Sequence, residues 1–366
     1  MPTSGATIGD LLVIDAMGSA ALLPTTLLPP PPRNGKDWLQ RAIDSGITAM
    51  NVTMGITGIG MGTDDFRSLL HTMHGYFCYF ELEPDRLLHV RTTEDLHRAR
   101  RERRLGIIFG CQGLASKIEG DASLILIMAQ LGQRIVQLTY NERSDIGCGC
   151  IEANDTGLTE FGRICIREIN ECSMVLDVAH AGHDTALQAI DFSAKPPIIS
   201  HANARALCDH PRNVRDDVLR ALAAQGGVVG VTAYAPFCET RPGTRPTVDD
   251  FVSHIAYIAD LVGVDHVGIG SDFFEGESPI RFERFFRRRY PAIVGHYTID
   301  TVYAEGFAAL EDFAALPGVL GRRGFNDLEI RKILGGNFLR VFGQVWPRKP
   351  ANESRASASG YDGCAS

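Results

Sequence analysis

Eight apolar runs of strand length recur along the chain with helix-like segments between them, and that alternation leaves few folds open. The runs are 11–18, 48–53, 105–112, 134–140, 174–180, 197–201, 227–233 and 266–273. A parallel strand buried on both faces reads as a near-continuous apolar run, and parallel neighbours need a crossover between them that is usually helical. Residues 159–170 carry apolar side chains at helical spacing. The stretch 247–262 does the same and opens with Thr247 and then Asp249 and Asp250, residue types that satisfy free N–H groups at a helix start. Eight such units predict an α/β fold of the closed (β/α)8, TIM-type class, in which the carboxyl ends of the strands build the active face. An open doubly wound sheet also brings strand ends together, but no glycine-rich phosphate fingerprint follows the first run, so it is the lesser alternative.

At 366 residues the chain fits a barrel of roughly 250 residues with insertions, which predicts one domain over 1–346. Two stretches interrupt the pattern. Residues 24–33, with four consecutive prolines at 29–32, read as an extended loop. An inserted loop at about 274–297 carries Arg281, Arg284, Arg287, Arg288 and Arg289, and is read either as a solvated surface or as a lid offering positive charge to an anionic substrate. The tail, 347–366, is rich in Ser, Ala, Gly and charge and is expected to be disordered.

A formal net charge of −8 argues against a general nucleic-acid binder, leaving a small molecule as the expected ligand. The first ten residues lack a basic region leading into an apolar stretch and the polar end lacks an anchor-like tail, so a cytoplasmic location without membrane attachment is expected. Nine cysteines, several inside apolar runs, point to reduced thiols; the pair Cys148 and Cys150, in a glycine-bearing loop, is read as structural or incidental.

His180, His201 and Asp272 each stand at the carboxyl end of an apolar run, at the level where a barrel places its chemistry. An imidazole offers zinc one lone pair, and a catalytic site needs about three protein ligands with one position left open. The histidines are candidate metal ligands. Asp272 could add a carboxylate or serve as the catalytic proton carrier. Gln112 and Tyr140 fall at the same level. His266 opens its run, ahead of the strand, where a structural role is expected, and His183 follows His180 by three residues at the start of the next element.

Five strings carry a resemblance: Leu158-Thr-Glu-Phe-Gly-Arg163, Asp177-Val-Ala-His180, the stretch 200–213 from Ser200-His-Ala-Asn to Asp209-His-Pro-Arg-Asn213, Val264-Asp-His-Val-Gly-Ile-Gly-Ser-Asp272, and Gly335-Gly-Asn-Phe-Leu-Arg-Val-Phe342. On them the chain resembles the membrane (renal) dipeptidase family of metal-dependent barrel peptidases. The resemblance implies a (β/α)8 fold, a homodimer, and hydrolysis of short dipeptides, including some with a D-residue at the carboxyl side. It further implies two zinc ions, one held by a His-x-Asp pair after the first strand and bridged by a glutamate to a second held by two later histidines. Here those first positions fall on Met17 and Ser19, and the bridging glutamate on Gln112. His180 and His201 match the second site, which Gln112 or Asp272 would have to complete. The resemblance thus implies a divergent member with one zinc ion or none. Arg212 matches the arginine that would hold a substrate carboxylate, and a guanidinium can do this with two parallel hydrogen bonds. Tyr140 stands where many members have a histidine, and a phenol can donate to a developing oxyanion or pack at the rim.

Three functions are open on these residues. The first is a metallohydrolase of a peptide-like or amide bond in a small carboxylated substrate, with Asp272 and Tyr140 catalytic and Arg212, Tyr140 and Gln112 binding. The second is a metal-independent isomerase- or lyase-type enzyme in the same pocket, and the third a non-catalytic binding protein.

Overall fold

The computed structural model describes residues 8–18, 32–55, 64–273 and 279–347. Nine parallel strands are present among them: β1 (Ile14–Asp15), β2 (Ala49–Thr53), β3 (Leu87–Val90), β4 (Leu105–Cys111), β5 (Gln133–Gln137), β6 (Val175–Asp177), β7 (Ile198–Ile199), β8 (Val228–Val231) and β9 (Val267–Ile269). Eight of them close on themselves in the order β1-β2-β4-β5-β6-β7-β8-β9, with β9 pairing back to β1. Each of the eight apolar runs of the sequence overlaps one of these strands, so the TIM-type barrel expected from their spacing is the fold observed. The ninth, β3, was not anticipated. It pairs with β4 from Leu87↔Leu105 to Val90↔Ile108, on the edge that β5 takes over from Phe109 onward.

The helices follow local rules. Asp37, Asp65, Thr92 and Thr159 each cap a helix by accepting from a backbone N–H three residues on. The expected helices are found at Glu160–Glu171 and Val248–Val262, the latter with Asp250 accepting from Thr247 N at 2.8 Å.

One end of the barrel is sealed with hydrocarbon. Ile14, Ala49, Ile108, Ile135, Val175, Ile198 and Val228 fill its interior near the amino ends of the strands, and Phe338, Val341, Phe342 and Trp346 close it from below. These four belong to the terminal helix, Asn337–Val345, or directly follow it. Phe342 and Trp346 stack with ring centres 4.1 Å apart, and Trp346 Nε1 donates to Arg134 O at 3.2 Å. Asn337 Nδ2 donates to the carbonyls of Val264 and Val267, both at 2.7 Å, tying the helix to the entry of β9. A Cβ on Gly335 would lie 2.3 Å from Leu12 O, and one on Gly268 would lie 2.3 Å from Phe338, so both positions require glycine by close approach. With this end plugged, polar groups concentrate at the opposite mouth.

The arginine-rich segment differs from the loop expected. From Pro279 it is helical over Pro279–Arg281, Phe282–Arg287 and Pro291–Val294. Aromatic and aliphatic residues interleaved with the arginines explain this, because Phe282, Tyr290, Ile293, Val294 and Tyr297 are buried while Arg284 and Arg288 face solvent. Residues 274–278 of this segment, most of the proline-rich stretch, Ser19 and the tail beyond Pro347 lie outside the described residues. All eight described cysteines are free thiols, and no described helix is long and apolar enough to cross a membrane.

Candidate active site

The side chains singled out in the sequence converge at the mouth formed by the carboxyl ends of the strands. His180 follows β6 by three residues and Asp272 follows β9 by three, and both adopt left-handed backbone conformations, with φ of 64° and 58°. Non-glycine residues rarely do so, and such strain persists where surrounding contacts over-determine it.

Two equivalent clamps supply those contacts. Asp177, wholly buried at the end of β6, accepts from Ala179 N at 2.9 Å, Ser200 N at 3.0 Å and Ser200 Oγ at 2.5 Å. Asp15, at the end of β1, accepts from Met17 N at 3.2 Å, Ser271 N at 2.8 Å and Ser271 Oγ at 2.5 Å. Each serine directly precedes a candidate site residue, Ser200 before His201 and Ser271 before Asp272. Burial pushes both carboxyls up, Asp15 to about 7, against the hydrogen bonds from the serines.

The imidazoles face each other, with His180 Nε2 and His201 Nε2 2.9 Å apart. On the far side of His180, Nδ1 lies 2.7 Å from Asn141 Oδ1, an acceptor, so this nitrogen donates. Ser200 spends its one proton on Asp177, so its Oγ accepts from His201 Nδ1 at 2.8 Å. Both Nε2 atoms therefore present lone pairs to one another. A proton between them is disfavoured, since burial and the nearby Arg212 charge hold both rings well below the usual histidine range. Two converging imidazole lone pairs are a donor set that a metal ion would share. Among the described residues, however, no third His, Cys, Asp or Glu joins the pair in a metal-holding group.

Gln112 is otherwise engaged. Its Nε2 donates to Met17 Sδ at 3.2 Å, and Thr53 Oγ1 approaches the same sulfur at 3.8 Å. Asp272 is partly exposed, with its backbone N on Met17 O at 2.8 Å and its carbonyl accepting from Tyr303 at 2.9 Å. Burial and the neighbouring Asp15 raise its carboxyl to about 7, although Arg212 pulls it down. A group titrating there exchanges protons readily near neutrality.

Arg212 is 3% exposed, donates from Nη2 to His201 O at 3.1 Å and lies 5.2 Å over the Phe237 ring. Among the described residues no carboxylate forms an ion pair with it. A guanidinium so placed is a ready anion site. Tyr140 stacks on His180, ring centres 4.3 Å apart and planes 20° from parallel, and its phenol is kept protonated by burial. Tyr290, from the arginine-rich segment, meets Tyr140 edge-on at 6.0 Å; Arg289 pairs with Glu142 at 2.9 Å, and His210 Nε2 donates to Ala292 O at 3.0 Å. The segment thus packs against the loops around the site.

His183 and His266 stand apart. His183 pairs with Asp217 at 3.3 Å on the helix layer, and His266 Nδ1 bonds Gly227 O at 2.8 Å at the amino end of the barrel. Cys150 donates to Asn141 Oδ1 at 3.4 Å, and burial pushes its thiol up to about 11, so it is an inert donor next to the group that orients His180. Sequence reasoning overlooked Asn141, Ser200, Asp15, Ser271 and Tyr290. The repeated serine before His201 and before Asp272 was a visible signal for two of them.

The model of the membrane dipeptidase family, peptidase family M19, matches residues 39–284. An uncharacterized dipeptidase of Schizosaccharomyces pombe, C965.12, is 36% identical over 174 residues, 46% of this chain and 42% of that one. The chain spans 42% to 59% of the length of the curated fungal dipeptidases it matches. The crystal structure of an amidohydrolase from Pseudomonas aeruginosa superposes with a TM-score of 0.79 at 30% identity, covering 93% of this chain and 98% of that one. A metallopeptidase from Rhodobacter sphaeroides, solved with a phosphinate mimic of L-Ala-D-Ala, shares the fold at a TM-score of 0.74 and 19% identity, covering 93% of this chain and all (100%) of that one.

Proposed function

The chain belongs to the membrane dipeptidase family, peptidase family M19, and we propose that it hydrolyses a peptide-like or amide bond in a small substrate bearing a carboxylate, using at most one metal ion. The observation that carries this reading is the pair of Nε2 lone pairs 2.9 Å apart, with both Nδ1 protons already committed. His180 and His201 would hold the ion, with zinc the natural choice for imidazole donors. When bound, it would supply Lewis-acid polarisation of the scissile carbonyl.

The remaining roles fall to the chain's own side chains. Arg212 holds the substrate carboxylate, which orients the amide toward the histidines. Asp272 removes a proton from the attacking water and returns it to the departing amine, a task suited to a carboxyl near 7. Tyr140, held flat on His180, donates its phenol proton to the oxygen on which charge develops.

Elemental analysis of protein purified without a nickel column, with Gln112→Glu in parallel, tests the reading; about one zinc per chain together with amide hydrolysis is expected. A second reading has its own observation. Met17 and Gln112, which the family resemblance matches to metal-ligand positions, form a neutral cluster with Thr53. Activity that survives exhaustive chelation would establish a metal-independent reaction in this pocket and end the first reading.

A further inference from the structure

A free dipeptide is a zwitterion, and a pocket that selects it needs a cationic grip at one end and an anionic grip at the other. Arg212, after β7, supplies the first. In the closed strand order β2 lies four strands from β7 in either direction, so the ends of β1, β2 and β4 face Arg212 across the mouth. Those ends carry Met17, Thr53 and Gln112, which are neutral, and both the amide and the hydroxyl are turned onto the Met17 sulfur.

Four described carboxylates near this end of the barrel are already committed. Asp15 and Asp177 are wholly buried, with both oxygens of each accepting hydrogen bonds from a serine. Asp64 is paired with Lys117, which is itself fully buried, and Glu142 is paired with Arg289. An ammonium ion-paired to Asp272 would block the proton transfer assigned to it above. An ammonium placed against a thioether and an amide loses its hydration without gaining a counter-charge.

We propose that the substrate carries one carboxylate and an uncharged acyl half, as in an N-acylated amino acid, and that Met17 and Gln112 set this preference. The inference rests on the hydrolase reading and narrows its substrate class. In the reaction a water oxygen bonds to the acyl carbon, the amide C–N bond breaks, and the water's proton passes through Asp272 to the nitrogen. A carboxylic acid and a free amino acid are released. The neutral end fits the acyl group, and the amino acid's carboxylate stays on Arg212.

N-acetyl-alanine and glycyl-alanine, each as both enantiomers, form a matched pair because they differ only by the amino group on the acyl side. The proposal expects kcat/KM at least tenfold higher for the acetyl compound. It also expects Gln112→Glu, which restores a negative charge opposite Arg212, to reduce that ratio at least tenfold. A glycyl compound cleaved as fast or faster overturns the inference while leaving the hydrolase reading intact. If neither is cleaved, the hydrolase reading fails for these amides and calorimetry with the same ligands on the intact protein takes over. Tighter binding of N-acetyl-alanine then upholds the charge preference; equal binding, tighter glycyl-alanine or no binding overturns it.

Discussion

His180 Nε2 and His201 Nε2 lie 2.9 Å apart, each ring held by a hydrogen bond from its own Nδ1, to Asn141 and to Ser200. Two acceptors at that distance repel unless a cation is shared between them. His201→Ala is therefore expected to remove bound metal altogether, read as metal per chain by mass spectrometry. Retention of a full equivalent in that variant would show that the ion sits elsewhere.

The supporting hydrogen bonds should matter nearly as much as the rings. Ser200→Ala breaks the chain Asp177–Ser200–His201 and frees the imidazole to take its other tautomer. Loss of such an outer partner typically weakens metal binding about 10–100-fold. Competition with a zinc-chelating dye would measure it. Unchanged affinity in Ser200→Ala would mean that the tautomer of His201 is set by something else.

For Asp272, activity and stability should move in opposite directions. As a base it must be ionised, so kcat/KM should fall as pH drops through about 7. Asp272→Asn is expected to lower turnover by roughly 10²–10⁴-fold. Folding raises this carboxyl above its unfolded value of about 3.9, so its stabilising contribution is complete below about pH 4 and is lost as pH rises to about 7. Asn removes that penalty and tolerates the left-handed backbone, which predicts a gain on the order of 1 kcal/mol at pH 8 after allowing for partial exposure. Urea titrations at pH 4 and pH 8 would show whether the gain appears only at the higher pH.

Arg212→Lys keeps the charge but loses the fork, and Arg212→Ala loses both. For a carboxylated substrate KM should rise about 10-fold in the first and about 100-fold in the second, since a buried charged contact is worth roughly 1.5–3 kcal/mol. Equal KM values across the series would remove Arg212 from the binding site.

At the sealed end of the barrel, Phe342→Ala should cost about 3–5 kcal/mol, because it opens a cavity between Trp346 and the strand ends. Denaturant unfolding reads this cost directly. Metal content per folded molecule should not change, as the helix is remote from the histidines.

Local patterns make the barrel legible in the sequence alone. The eight closing strands are visible as apolar runs, and His180, His201 and Asp272 stand out because each lies at the carboxyl end of one. β3 was hidden because Leu87-Leu-His-Val90 is short, and its pairing to half of β4 is a relationship between distant segments. The engagement of Gln112 with Met17 was hidden for the same reason, since the two are 95 residues apart. So was the Asp15 clamp, which reaches Ser271 across 256 residues of chain. Periodicity and strand-end placement are written in neighbouring residues. Which buried donor meets which acceptor depends instead on barrel closure, which alone brings β1 beside β9.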